Sequence, residues 1–270
     1  MDNSRGLTYE AGFESSQWRG SEDGHAVAIE QSPESPLIPP ESSRLAAMFD
    51  ERSVGAEKFR VLASRLQYLR KQSPIKKVLV TSTIKGEGKS VISANLAVSL
   101  GRRHKTLLID GDLRQSGLAH LLGSHDLPGL ADWWRESAGI TPFVRRVGSF
   151  KLSLLPAGLS ASQPLEMLQS QRISEMLNEI AEAFDWVIID APPLILADPN
   201  LWATLSDGTL LVVRPGKTPK RLLRKSLESI ENLKLIGIVM NGSEDAEHRY
   251  YGQYYKGVRR KDTSSAVPAG

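Results

Sequence analysis

Three groups of residues in this chain have the types and spacing that chemistry requires. The first is Thr81-Ser-Thr-Ile-Lys-Gly-Glu-Gly-Lys-Ser90, set between an apolar run, Val78-Leu-Val80, and a helical pattern from Val91 to Leu100. Gly86 and Gly88 lack a Cβ, so the backbone can curl and point successive N–H groups inward. A helix starting directly afterwards adds unpaired N–H groups and the positive end of its dipole, which favours an anion there. This strand, loop and helix context predicts a phosphate-binding cradle made by Lys85, Gly86, Glu87, Gly88, Lys89, Ser90 and Val91. In it Lys89 would reach the β- and γ-phosphates of a nucleotide and the Ser90 hydroxyl would ligate Mg²⁺. The plain alternative is a glycine turn, which a Gly-Lys-Ser placed at a helix start disfavours.

The second group is Asp110-Gly-Asp112-Leu-Arg114, just past the apolar run Thr106-Leu-Leu-Ile. Two carboxylates two residues apart at a strand end can approach one Mg²⁺ or a hydroxyl nucleophile, although Asp-Gly-Asp alone is also a common turn. The third group shifts that choice toward a site. Asp190 closes Trp186-Val-Ile-Ile and is followed by Ala-Pro-Pro193, a rigid exit from a strand. An aspartate ending an apolar strand is the usual Mg²⁺-side partner of a phosphate loop. Loop, acid pair and second acid occur in the order such a site needs.

These groups need a scaffold that brings strand ends together. Short β-rich runs at Leu152-Ser-Leu-Leu155, Leu210-Leu-Val-Val213 and Ile236-Gly-Ile-Val-Met240 continue the series. Between them, Ile173, Met176, Leu177, Ile180 and Phe184, and then Leu223, Leu227 and Ile230, keep helical spacing. Alternating strands and helices predict an α/β fold: a mostly parallel β-sheet flanked by helices on both faces, with ligands at the carboxyl ends of the strands. A further helix is expected from about Gly55 to Lys71, with Phe59, Leu62, Leu66 and Leu69 on its packed face. Gly129 to Arg135, with Trp133-Trp134, reads as a surface helix or a partner site. Residues 1–42 are rich in Ser, Glu, Gly and Pro and predict disorder; residues 43–243 form the folded domain; residues 244–270 form a flexible tail.

The composition narrows the class. Forty per cent hydrophobic and 24% charged residues are ordinary for a globular chain, and a net charge of +3 gives no reason to expect nucleic acid. The absence of cysteine excludes disulfides and thiolate metal sites and fits a cytoplasmic setting.

The motifs Lys-Gly-Glu-Gly-Lys-Ser, Leu-Leu-Ile-Asp-Gly-Asp-Leu-Arg and Val-Ile-Ile-Asp-Ala-Pro-Pro resemble those of the bacterial tyrosine kinases of polysaccharide biosynthesis, over roughly residues 45 to 257. Leu155-Pro-Ala-Gly158, Phe184-Asp-Trp-Val and Ser206-Asp-Gly-Thr add to the likeness. The resemblance implies a P-loop ATPase fold of the partition-ATPase type and an ATP- and Mg²⁺-dependent protein-tyrosine kinase that regulates exopolysaccharide polymerisation and export. It implies Lys89, Asp110 and Asp112 as catalytic groups, Ser90, Asp112 and Asp190 as metal-side groups, and Asn241 against the adenine. Glu57 and Arg60 match an oligomerisation helix of pattern Glu-x-x-Arg-x-x-Arg, in which Ala63 replaces the last arginine. Arg65 lies about 200° around the helix from Ala63 and so is not its equivalent. Two features of the loop depart from relatives: Lys85 stands where many have proline, and Ile84 stands where partition ATPases carry a second lysine.

Four of the six tyrosines, Tyr250, Tyr251, Tyr254 and Tyr255, cluster in the tail. Glycines and cations around them disfavour a packed aromatic stripe. By the resemblance they are autophosphorylation sites. It also implies a homo-oligomer activated by a membrane-anchored polysaccharide co-polymerase on a separate chain, which would hold this protein at the inner face of the plasma membrane. The competing expectation is a partition or positioning switch ATPase without kinase activity.

Overall fold

The structure is a computed structural model that describes residues 34–35, 44–136, 139–159, 163–229 and 234–242. The tail tyrosines lie outside the described residues, as does most of the segment 1–42. Strands β1 (Glu34–Ser35), β2 (Lys77–Ser82), β3 (Thr106–Asp110), β4 (Arg145–Val147), β5 (Leu152–Leu155), β6 (Trp186–Asp190), β7 (Gly208–Val213) and β8 (Leu235–Met240) form one sheet. Their order is β1-β4-β5-β3-β6-β2-β7-β8. Only the β4–β5 pair among these is antiparallel. The expected mostly parallel sheet is therefore present. The short β1, paired with Arg146 and Val147, comes from the stretch expected to be disordered.

The helices are α1 (Ala46–Phe49), α2 (Val54–Arg70), α3 (Lys89–Gly101), α4 (Gly117–Leu122), α5 (Leu130–Arg135), α6 (Pro164–Gln169), α7 (Gln171–Glu182), α8 (Asp198–Thr204) and α9 (Lys220–Ser229). The apolar strands read as continuous runs because both faces of the sheet are covered. On one face Leu107, Ile109, Val187 and Ile189 pack with Ile173, Met176, Leu177 and Ile180 of α7. On the other Leu108, Ile188, Val78 and Val80 pack with Ala63 and Leu66 of α2 and Ile92, Leu96 and Val98 of α3. The alternation along each strand is the two-residue period of a pleated sheet.

Two expectations about local segments change. Trp133 is buried in the core and Trp134 packs against it, with the Arg172 guanidinium 4.5 and 5.5 Å from their ring centroids. Arg172 also donates to the main-chain oxygens of Trp133, Trp134 and Glu136, so α5 is a packed element. On α2, Ser53 caps the start by accepting from Ala56 N–H, which sets the helix one residue earlier than expected. Ala63 is buried against the core, so an arginine there would have to enter it. Arg65, in contrast, lines the same outer groove as Glu57 and Arg60, together with Val61, Ser64 and Tyr68. The groove, and not the Glu-x-x-Arg-x-x-Arg spacing, decides which cations share that face. Among the described residues no helix is long and apolar enough to cross a membrane.

Candidate active site

Register brings the acids together. Asp110 of β3 lies opposite Asp190 of β6, and Asp190 in turn lies opposite Val80 of β2, just before the loop leaves that strand. The close approach depends on Gly111: a Cβ there would stand 3.0 Å from both Asp190 O and Trp202 Cε2. Trp202, buried on α8, donates from Nε1 to Gly111 O at 3.0 Å and so holds the turn that presents Asp112.

The loop takes the curled path expected of it. Gly86 and Gly88 have φ of +83° and +97°, and Gly88 directly precedes α3. The left-handed backbone is open to glycine and strained for other residues. Lys89 lies at the helix start with its Nζ 2.9 Å from Asp112 Oδ2 and 3.6 Å from Asp190 Oδ2. Ser90, one residue later, has its hydroxyl 3.4 Å from the same Nζ. Ser93, one turn on, donates to Asp190 Oδ1 at 3.0 Å. Val91 gives its carbonyl to Asn95 Nδ2 at 2.8 Å.

Three buried carboxylates around one ammonium are not balanced in charge. Burial, and then the neighbouring Asp190, push the Asp110 carboxyl up to about 8; the Ser116 hydroxyl and Lys89 oppose them. Burial also raises Asp190, against the pull of Lys89, Ser90 and Ser93. For Lys89 burial is the largest single influence and acts downward, but the combined field of Asp190, Asp112 and Asp110 carries it above its ordinary value. Asp110 Oδ1 and Asp190 Oδ2 are buried without a hydrogen bond. Such groups are costly unless a ligand completes them.

The donor set is all oxygen: the Ser90 hydroxyl, Asp112 and Asp190. Among the described residues no three His, Cys, Asp or Glu side chains form a complete metal cage. A partial oxygen set beside a phosphate cradle suits Mg²⁺, which keeps waters and takes its remaining ligands from substrate phosphates.

The other expected residues are placed as follows. Lys85 is exposed and donates to Gln115 Oε1 at 2.7 Å, and Gln115 N–H donates to Asp112 Oδ1 at 3.1 Å. Glu87 is fully buried, with its carboxylate committed to Ile84 N–H and the Thr218 hydroxyl, so only its main chain can meet a phosphate. Asn241 lies against the loop, its Nδ2 2.7 Å from Glu87 O. Glu57 pairs with Arg60, remote from the acids, on the outer face of α2. Sequence reasoning missed Ser93, Ser116 and Thr218. Ser93 carried a signal, lying one helical turn from Ser90; Ser116 reaches Asp110 across a six-residue turn, and Thr218 is joined to the loop only by long-range packing.

Known proteins match this chain over most of its length. Residues 75–243 match the family model described as cellulose biosynthesis protein BcsQ. The tyrosine-protein kinase YwqD of Bacillus subtilis (strain 168) is 32% identical over 212 residues, covering 77% of this chain and 90% of YwqD. The succinoglycan biosynthesis transport protein ExoP of Rhizobium meliloti (strain 1021) is 33% identical over 225 residues, covering 76% of this chain but 28% of ExoP. The solved VpsO (VC0937) kinase domain has a TM-score of 0.63 at 31% identity, covering 72% of this chain and 98% of that one. The septum site-determining protein MinD complexed with Mg-ADP, from Pyrococcus horikoshii OT3, has a TM-score of 0.54 at 22% identity, with 64% and 75% coverage. That last likeness concerns the fold alone.

Proposed function

The chain belongs to the bacterial tyrosine-kinase family of polysaccharide biosynthesis, and from that premise we propose that it transfers the γ-phosphoryl group of ATP to tyrosine hydroxyls of its own tail. One observation carries the reading: Lys89 is held at the start of α3 between Asp112 and Asp190, beside a carboxylate with an unbonded buried oxygen.

In the transfer, a bond forms between the tyrosine Oη and the γ-phosphorus, the bridging bond to the β-phosphate breaks, and ADP leaves. Main-chain N–H groups of the loop and Lys89 hold the phosphates and stabilise their charge. Asp110 Oδ1 accepts the hydroxyl proton; burial gives it the proton affinity a base near neutral pH needs. Ser90, Asp112 and Asp190 would hold Mg²⁺, which when bound supplies further neutralisation of the phosphates. Trp202 and Gly111 keep the acids in place, so most of the acceleration comes from positioning and charge.

The acceptors are Tyr250, Tyr251, Tyr254 and Tyr255. Each phosphate would add nearly two negative charges beside Arg249, Lys256, Arg259 and Arg260. This change would loosen contacts between subunits through which polymerisation and export of an exopolysaccharide are regulated. ExoP, a transport protein of which this chain matches only part, supports a membrane-anchored co-polymerase as partner, which would bring the kinase to the inner face of the plasma membrane. Glu57, Arg60 and Arg65 supply the polar part of an oligomer face on α2.

The test compares phosphotyrosine formed with ATP hydrolysed, in the natural chain and in one with the four tail tyrosines changed to Phe. Phosphotyrosine that disappears in the Phe chain while ATP binding persists supports the reading. Hydrolysis with no phosphotyrosine, in the presence of the partner's cytoplasmic segment, favours the switch ATPase instead.

A further inference from the structure

On the flank of the phosphate loop away from the acids, three loops are tied together through one residue. Glu87 accepts Ile84 N–H at 2.8 Å and the Thr218 hydroxyl through its two carboxylate oxygens, and its main-chain oxygen accepts from Asn241 Nδ2 at 2.7 Å. Thr218 closes the turn after β7, where its hydroxyl accepts Arg214 N–H at 2.9 Å. Asn241 ends β8 and donates its own N–H to Val213 O at 2.8 Å. Lys217 adds a 3.3 Å contact from Nζ to Gly86 O. A fully buried carboxylate held by neutral donors is costly to desolvate, and a simple turn does not need one.

The charges orient a nucleotide across this loop. Its γ-phosphoryl group must lie toward Lys89 and the acids of β3 and β6, which leaves β7 and β8 on the nucleoside side. There the Asn241 amide has only one possible sense. Glu87 O can only accept, so the atom facing it is Nδ2, and Oδ1 remains as an acceptor that takes no hydrogen bond among the described residues. An acceptor at that place suits the donor 6-amino group of adenine and repels the acceptor 6-oxo group of guanine. The contact is tight: a Cβ on Gly88 would stand 2.1 Å from Asn241 Nδ2, so a small shift of the loop moves the amide.

We propose that Glu87 is a positioning residue that clamps the loops after β2, β7 and β8 and thereby sets selectivity for a 6-aminopurine nucleotide. The inference rests on the nucleotide-binding reading of the site and deepens it. A merely structural role would weaken every phosphate ligand alike; a positioning role changes the ratio between bases.

Titration calorimetry with Mg²⁺ on the full chain tests this, using ATP, GTP and inorganic tripolyphosphate. The natural chain should prefer ATP over GTP by about tenfold or more, the value of one well-made hydrogen bond against an unpaired one. Glu87→Gln should lose most of that preference; Thr218→Val should lose it too, with tripolyphosphate affinity held within about twofold. Thr218→Val removes the hydroxyl at nearly constant volume and keeps the test decisive if Glu87→Gln does not fold. An ATP-to-GTP ratio unchanged in Thr218→Val overturns the proposal, as do equal losses for all three ligands. Failure of the underlying reading looks different: all three ligands fail to bind the natural chain, or Lys89→Ala binds ATP as well as it does.

Discussion

On one flank of the phosphate loop Asp110, Asp112 and Asp190 crowd a single lysine, and two of their buried oxygens have no hydrogen bond. On the other flank Glu87 is buried as deeply, yet both of its carboxylate oxygens are bonded within the chain. The first arrangement is incomplete without a ligand and is tuned by charge. The second is complete in itself and determines shape. A buried carboxylate is thus not one kind of feature: its partners decide whether it reacts or positions.

The largest effect should come from removing the ammonium held between Asp112 and Asp190. Lys89→Ala should lower phosphotransfer by about a thousandfold or more, since it removes both a phosphate ligand and the neutraliser of Asp112 and Asp190. It should also destabilise the ligand-free fold by about 3–5 kcal/mol, as expected when one partner of a buried ion pair is lost. Initial transfer rates and denaturant unfolding measure the two effects.

Next, Asp110→Asn should separate reaction from stability. Transfer should fall by about a hundredfold with the loss of the base. The ligand-free fold should gain about 2–5 kcal/mol at pH 8, because a buried like charge disappears. The pH dependence has a definite sign. Burial pushes the Asp110 carboxyl up to about 8 in the folded chain, against an ordinary 3.8 when unfolded, so the folded state holds the extra proton between those values. Its contribution to stability is therefore full below the lower value and is lost as pH rises through the upper one. The difference in Tm between Asp110→Asn and the natural chain should grow from pH 5 to pH 8.

Thr218→Val should act with the opposite sign. It leaves the Glu87 carboxylate short of a donor and should cost about 1–3 kcal/mol of folding stability. Denaturant midpoints of the two chains measure the cost. The smallest effect belongs to the outer face of α2. Arg60→Ala should change folding stability by less than about 1 kcal/mol, because its pairing with Glu57 is solvent-screened. If this face joins subunits, light scattering should nevertheless show a smaller assembly.

Much of the acid flank was legible in the sequence, because its groups follow directly on apolar strands and a parallel sheet brings strand ends together. Fully buried strands such as Trp186-Val-Ile-Ile read as uninterrupted runs, and Gly-Lys-Ser marks the start of α3. The partner of the Glu87 carboxylate was not legible. The hydrogen bond to Thr218 spans 131 residues, and neither residue type announces the contact. The opposition of Asp110 and Asp190 depends on strand register, which apolar runs do not specify. That Ala63 faces the core while Arg65 shares the groove of Arg60 could not be read from spacing alone.

Phosphosite mapping of the full chain after incubation with Mg²⁺ and ATP tests the central claim most directly. It should be run beside Lys89→Ala, with and without the cytoplasmic segment of a membrane partner. Phosphate on Tyr250 to Tyr255 that is absent in Lys89→Ala is the predicted result. ATP turnover with the tail unmodified, in the presence of a partner segment shown to bind, would contradict it.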